Sequence, residues 1–211
     1  MTSVKKGSVR AEKARETRRR ILEAARRLFV AQGYGATSLQ EIADEAGVAV
    51  QTIYFGFGNK RTVLKELVDV TIAGDDAPVA TLERPWFQAV LDAKTAGKQL
   101  EAHVEGTRPI LERVAPILRV LDAAAAADPE VVALWPADDP RYVVHLNAAK
   151  ALLDKPGVRK GVDAEQAADV LYGLLSPELY LVMTVDRGWS DDQWQAWTLD
   201  LLKAQLLGRR S

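Results

Sequence analysis

The sequence predicts an all-α chain. Apolar residues recur at helical spacing along nearly its whole length, glycines and prolines fall between the periodic segments, and no segment alternates long enough to read as a strand. The 211 residues can make one domain or two small ones. A composition 48% hydrophobic and 27% charged is that of an ordinary globular chain.

The elements follow in order. Residues 1–10, "MTSVKKGSVR", have no apolar period, and the sequence predicts a poorly ordered tail. Lys5, Lys6 and Arg10 within it make either a plain basic tail or an arm reaching a minor groove. A helix reads from about Ala11. Ile21, Leu22, Ala25, Leu28 and Phe29 form its apolar face, Arg18, Arg19, Glu23, Arg26 and Arg27 the other, and Gly33 and Gly35 end it. "TSLQEIADEAG" opens a second helix with a capping box, Ser38 and Glu41, an inward face of Leu39, Ile42, Ala43 and Ala46, and a stop at Gly47. Val50 to Phe55 is room for only a short third helix before Gly56 and Gly58. Asn59 caps a fourth through about Ala73, with Val63, Leu64, Leu67 and Val68 apolar.

After Gly74 the pattern predicts a loop, then helices near 85–93, 97–114, 116–126, 129–135, 139–153, 163–185 and 190–207, with a kink at one of Pro109 and Pro116 and a break at the other. The domain boundary is expected inside the fourth helix, giving domains of residues 1–62 and 63–211. Charge divides there too. Residues 1–62 hold 12 Lys and Arg against 6 Asp and Glu, whereas the remainder holds 16 against 23. A basic first third on an acidic body points to a polyanion met by the first part alone.

Two short helices joined at a glycine, the second with outward uncharged polar groups, form a helix-turn-helix pattern. Its second helix enters a DNA major groove N-terminus first. Val50, Gln51 and Thr52 then lie at the bases, Gln51 suited to an adenine edge and Val50 to a thymine methyl. Tyr54 and Lys60 are placed for phosphates, and Thr37 and Ser38 mark a helix N-terminus that offers free amides to another. Ile53 and Phe57 turn inward.

With those residues in view, "TRRRILEAARRLF" followed by "GYGATSLQEIADEAGVAVQTIYFGFGNKRTVL" resembles the N-terminal domain of the TetR family of bacterial transcriptional regulators, over residues 17–64. The resemblance implies phosphate contacts at Thr37, Thr52, Tyr54 and Lys60 and base contacts at 50 and 51. It also implies a palindromic double-stranded operator, a homodimer built on a four-helix contact, and a small-molecule ligand that releases a repressor. The pattern departs at three places. Ala49 stands where the family has a capping Ser, Gly56 replaces a His, and Val50 a frequent Lys.

In the C-terminal part, Trp86, Phe87, His103, Thr107, Trp135, Tyr142, His145, Tyr172, Glu178 and Tyr180 are candidates to line a pocket for a largely apolar ligand. Tyr142 and His145 share one helix face, His103 and Thr107 another. Glu178, in "LLSPELYLV", is costly unless paired, at a pocket or turned outward. The two histidines make a poor metal site, and no cofactor is expected. Leu171, Leu174, Leu175, Leu179 and Val182, with Trp194, Trp197, Leu201 and Leu202, exceed one amphipathic face and read as a dimer interface or an intrachain core.

No nucleophile–base pair, metal spacing or phosphate-cradling glycine loop argues for an enzyme. A helical-bundle enzyme and an architectural DNA binder without ligand are the rival readings. No apolar run of bilayer length and no secretory signal are read, so no membrane partner is expected and the cytoplasm is the expected compartment.

Overall fold

A computed structural model of the chain describes residues 3–74, 80–134 and 139–208. Its helices, in order, are α1 (Ser3–Gln32), α2 (Leu39–Ala46), α3 (Val50–Phe57), α4 (Lys60–Ala73), α5 (Pro85–Asp92), α6 (Ala96–Ala127), α7 (Pro129–Val132), α8 (Pro140–Leu153), α9 (Ala164–Leu174), α10 (Pro177–Leu181) and α11 (Asp191–Leu206). A 3-10 turn, Thr81–Glu83, precedes α5, and a π turn, Val182–Asp186, follows α10. Among the described residues the β structure is one bridge, Val158 to Leu207.

Two differences from the periodicity are instructive. Helix α1 begins at Ser3 rather than after a ten-residue tail. Residues 3–10 contain no proline, and the roughly 1 kcal/mol cost of Gly7 is spread over a 30-residue helix rich in Ala, Arg, Lys and Glu. The stretch read as two helices about Pro116 is one, α6. Each proline removes a single ladder hydrogen bond. Packing on both sides of each, by Leu100, Val104, Leu111, Val114, Ile117 and Val120, holds the helix through them.

Packing divides the chain into residues 1–71 with 116–135, and 72–115 with 136–211. The sequence predicts a boundary at 62/63. The packing boundary falls later because Val63, Leu64, Leu67 and Val68 all face the first core, which also takes Ile117, Val120 and Ala124 from the end of α6. In this first unit Ile21, Ala25, Phe29, Ile42, Ala43, Ile53 and Phe57 are buried together, the apolar faces read from α1, α2 and α3.

The second unit packs Phe87, Val90, Leu100 and Val104 with α8, α9 and α11. Ala148, Ala149, Ala167 and Ala168 are fully buried, which lets the backbones of α8 and α9 approach closely. Gln99 donates to the Ala148 carbonyl at 2.7 Å and ties α6 to α8. Lys155 closes the C-terminus of α5 by donating to the Leu91 and Ala93 carbonyls, each at 2.6 Å.

The single helix expected at 163–185 is interrupted at Leu175–Ser176, where Ser176 caps α10. Taken together Ala164–Asp186 is long and apolar enough to cross a bilayer by length and composition, against the expectation that no run is. It is broken at Ser176, and Leu171, Leu175, Tyr180 and Leu181 of it are buried within the second core.

Candidate nucleic-acid interface

The turn from α2 to α3 is built by local chemistry. Ser38 accepts from the Glu41 amide, and the Glu41 carboxylate accepts from the Ser38 amide at 2.7 Å, so the predicted capping box is present. Gly47 ends α2 at φ 63°, a conformation that costs a glycine nothing. Arg20 of α1 donates to the Ala46 and Gly47 carbonyls and so caps α2 from outside, where the helix dipole favours a cation. The run "RRR" marks Arg20 as surface; its cap emerges only when α1 and α2 pack. Ala49 starts α3 without a side-chain cap, at a cost of about 1 kcal/mol.

Helix α3 buries Ile53 and Phe57 and exposes Gln51, Thr52, Tyr54 and Phe55. Phe55 is 95% exposed and Tyr54 56%. A helix that shows one amide, two hydroxyls and a bare phenyl ring, with no charge among them, offers hydrogen bonds and apolar contact to a surface whose own charge lies elsewhere. Of the residues assigned to bases, Gln51 and Thr52 are free to do this. Val50 is half-buried and packs on the first core.

The expected phosphate ligands fare differently. The Thr37 side chain is buried, its hydroxyl donating to the Gly33 carbonyl at 2.8 Å and accepting from Gln32. It therefore braces the α1–α2 loop instead of facing solvent. The Ser38 hydroxyl is engaged with Glu41, whose carboxylate occupies the anion position at the start of α2. The Ser38 amide and hydroxyl hold that carboxyl below its usual range, so it is ionised and opposes a phosphate at that spot. Lys60 donates from Nζ to the Tyr34 and Thr37 carbonyls at 2.7 Å each and lies 4.3 Å from the Tyr34 ring centroid. Desolvation lowers its pKa, with Glu41 pulling the other way. Two of its three N–H groups are thus spent within the fold, which leaves one for a phosphate.

Arg61, next along, pairs with Asp128 at 2.6 Å and with Glu130 at 2.5 Å, securing the start of α4 to the start of α7. Nothing in composition or spacing singles it out.

In the second unit the two faces read from α6 and α8 do meet. His103 and His145 stack with ring centroids 5.3 Å apart and planes 23° apart. Tyr172 meets His145 edge-on at 6.1 Å and Tyr142 at 5.9 Å, and Trp86 lies 6.3 Å from His103. Both His103 nitrogens, Nδ1 of His145 and Oγ1 of Thr107 are buried without a hydrogen-bond partner among the described residues. Burial pushes His103 down to about 4, and burial with the fields of His103 and Arg141 pushes His145 to about 2, so both rings are neutral at pH 7. Glu178 does not join them. It is exposed in the first turn of α10, the outward alternative, because the break at Ser176 re-aims the chain. Phe87 and Tyr180 belong to the core, and Trp135 lies outside the described residues.

Among the residues read as a dimer face, Leu175 and Trp194 are interior. Trp194 is fully buried against Tyr180, ring centroids 5.1 Å apart, and Leu175 is 1% exposed, so both serve the chain's own core. Leu179, Trp197 and Leu201 are half-buried, and Val182 and Val185 beside them are exposed.

Residues 21–67 match the model for bacterial regulatory proteins of the tetR family. The chain is 38% identical over 89 residues, 39% of its length, to the HTH-type transcriptional regulator TtgW of Pseudomonas putida. The alignments span 66%, 42% and 28% of the lengths of the first three such relatives, so most of the latter two lies outside the match. Over 92% of this chain the fold is similar to that of a TetR-family transcriptional regulator from Mesorhizobium loti, with a TM-score of 0.70, 22% identity and 98% of that chain covered. It is similar to the same degree, TM-score 0.70 at 20% identity and 92% of each chain, to SmeT bound to triclosan, SmeT being the repressor of a Stenotrophomonas maltophilia efflux pump.

Proposed function

We propose, from an N-terminal domain that belongs to the TetR family of bacterial regulatory proteins, that the chain is a ligand-responsive transcriptional regulator. In this reading it binds a palindromic operator as a homodimer in the cytoplasm and represses until a small molecule releases it. The carrying observation is α3, which buries Ile53 and Phe57 while presenting Gln51, Thr52, Tyr54 and Phe55 to solvent on a scaffold clamped by Arg20 and Lys60. That division of faces is what a recognition helix needs, since base edges demand uncharged hydrogen-bonding groups held in fixed register. The start of α2, with Glu41 across it, contributes little to phosphate binding. Lys60 keeps one N–H for a phosphate, with Thr52 and Tyr54 as hydroxyl donors.

The homodimer rests on the apolar residues that remain at the surface of the last elements, Leu179, Val182, Val185, Trp197 and Leu201. A ligand site rests on the unpartnered polar groups around His103. Release then follows from population shift, the ligand favouring a form whose two recognition helices are wrongly spaced for successive major grooves. The names of several similar proteins, repressors of efflux pumps among them, support this class of function without fixing the ligand.

The experiment is selection of binding sites from random duplex DNA by the purified chain, followed by footprinting and light scattering. Enrichment of a palindrome bound by two chains supports the reading. Binding without sequence preference would replace it with an architectural role.

A further inference from the structure

The groups around His103 say what kind of molecule they accept, an inference that rests on the ligand-responsive reading above. Four buried polar atoms there have no partner among the described residues: Nδ1 and Nε2 of His103, Nδ1 of His145 and Oγ1 of Thr107. Buried polar atoms are ordinarily paired, and an unpaired one is costly. Their concentration on facing sides of α6 and α8 marks a site built for a guest that pairs them.

The charge state of the guest follows from the surroundings. The imidazoles are neutral, so each carries one N–H donor and one bare acceptor nitrogen, and the Thr107 hydroxyl can do either. The carboxylates that reach the aromatic walls are engaged with wall hydroxyls. Glu178 is exposed elsewhere, Asp139 is held by the Tyr172 hydroxyl at 2.6 Å, and Asp169 and Glu165 bear on Tyr142. The nearby cation is engaged: Arg141 lies flat on the Tyr172 ring at 3.5 Å and donates to the Tyr172 carbonyl. A cationic guest meets only carboxylates already bonded to wall hydroxyls, and an anionic one meets neutral imidazoles and an Arg141 already stacked on Tyr172. The walls are aromatic, formed by Tyr142, Tyr172 and Trp86. Trp86 is half-buried and rests on Gly106, where an added Cβ would lie 2.5 Å from its ring.

We propose that His103, His145 and Thr107, walled by Trp86, Tyr142 and Tyr172, bind an uncharged molecule with an aromatic body and a hydroxyl group, a neutral phenol being the simplest case. The hydroxyl donates to a bare imidazole nitrogen and accepts from Thr107, while the ring packs among the aromatic walls. Two such bonds are worth about tenfold in affinity over the same body without the hydroxyl.

The test is calorimetric titration of the full chain at pH 7.5 with four probes of one shape: 2-naphthol, naphthalene, 2-naphthoate and 2-naphthyltrimethylammonium. The expected order has 2-naphthol tightest, about tenfold over naphthalene, with both ions weakest. Thr107→Val and His103→Leu should each shrink the naphthol advantage to about threefold or less and leave naphthalene binding in place, with circular dichroism checking that each variant is folded. Equal binding of naphthol and naphthalene, a preference for either ion, no binding of any probe, or an undiminished advantage in Thr107→Val would overturn the assignment. Operator release is measured separately. Naphthol binding without release keeps this site and defeats the regulatory reading, whereas release by a compound indifferent to Thr107→Val keeps the regulator and defeats this site.

Discussion

Lys60 spans the loop between α1 and α2, its ammonium 2.7 Å from the Tyr34 carbonyl oxygen and 4.3 Å from the centre of the Tyr34 ring. A second carbonyl, that of Thr37, accepts from the same nitrogen. The lysine that starts α4, where the helix dipole disfavours a cation, is thereby paired within the chain. It has a structural duty before any DNA is present. Lys60→Met should lower unfolding free energy in urea by about 2 kcal/mol, the net worth of a charged hydrogen bond. It should also reduce the slope of log affinity against log salt by about 0.9 per half-site if the remaining N–H meets a phosphate. Lost stability with an unchanged slope would leave Lys60 a loop clamp alone.

Gln51 is exposed on α3 and shares a face with Phe55 four residues on. Gln51→Ala should cost about 1–3 kcal/mol at one base pair and relax preference there, with affinity for other positions unchanged. The measurement is a competition series over all single substitutions in the selected site. A uniform loss at every position would mean that Gln51 touches the backbone and reads no base.

Much of this architecture was legible in the sequence, for reasons that differ by element. The Ser38–Glu41 box, the left-handed Gly47 and the Asn59 cap, whose Oδ1 accepts from the Thr62 amide at 3.0 Å, are local chemistry that spacing alone specifies. The inward faces of α1 to α4 follow from period 3.6 and are the first core. What spacing cannot supply is which faces meet. The stacking of His103 on His145 needs the packing of α6 on α8. Thr37 reads as a surface hydroxyl because its polarity masks its burial beside Gly33. Trp194 reads as interface because an apolar surplus looks the same whether a partner or the chain's own Tyr180 covers it. The continuity of α6 is hidden by two prolines whose local penalty is outweighed by distant contacts.

The last elements divide into core and surface, and the two should respond differently. Trp197→Glu with Leu201→Glu places charges on half-buried positions of the proposed dimer face. The double variant should sediment as a folded monomer and lose operator affinity. Trp194→Ala removes a fully buried indole and should cost about 3–5 kcal/mol of stability whatever the oligomeric state. A folded double variant that remains dimeric would move the interface to another surface.

The final prediction concerns pH, and its sign follows from burial. His103 sits at about 4 and His145 at about 2 in the folded chain, against roughly 6.5 for an unperturbed histidine. A base held below its unfolded pKa binds fewer protons when folded. Above pH ~6.5 the pair therefore has no effect on the pH dependence of stability. As pH falls below that value, the unfolded chain takes up protons that the folded chain refuses. Stability then declines by about 1.4 kcal/mol per pH unit per histidine. The decline continues to about pH 4 for His103 and about pH 2 for His145. The groups that bear on His145 reinforce this, since His103 and Arg141 both oppose its protonation. Asp128 and Glu41, held low by Arg61 and Ser38, also lose stability with acid, but mainly below the ordinary carboxylate range of about 4. Glu66, raised by desolvation, gains stability as acid protonates it, the opposite sign, so from about pH 6.5 to about pH 5 it is the difference between parent and double variant that isolates the histidines. Over that interval the parent chain should lose about 3 kcal/mol in urea titrations, and His103→Leu with His145→Leu should lose little. An equal loss in that double variant would show that the imidazoles take up protons in the folded state, and with them the neutral character of the site would be lost.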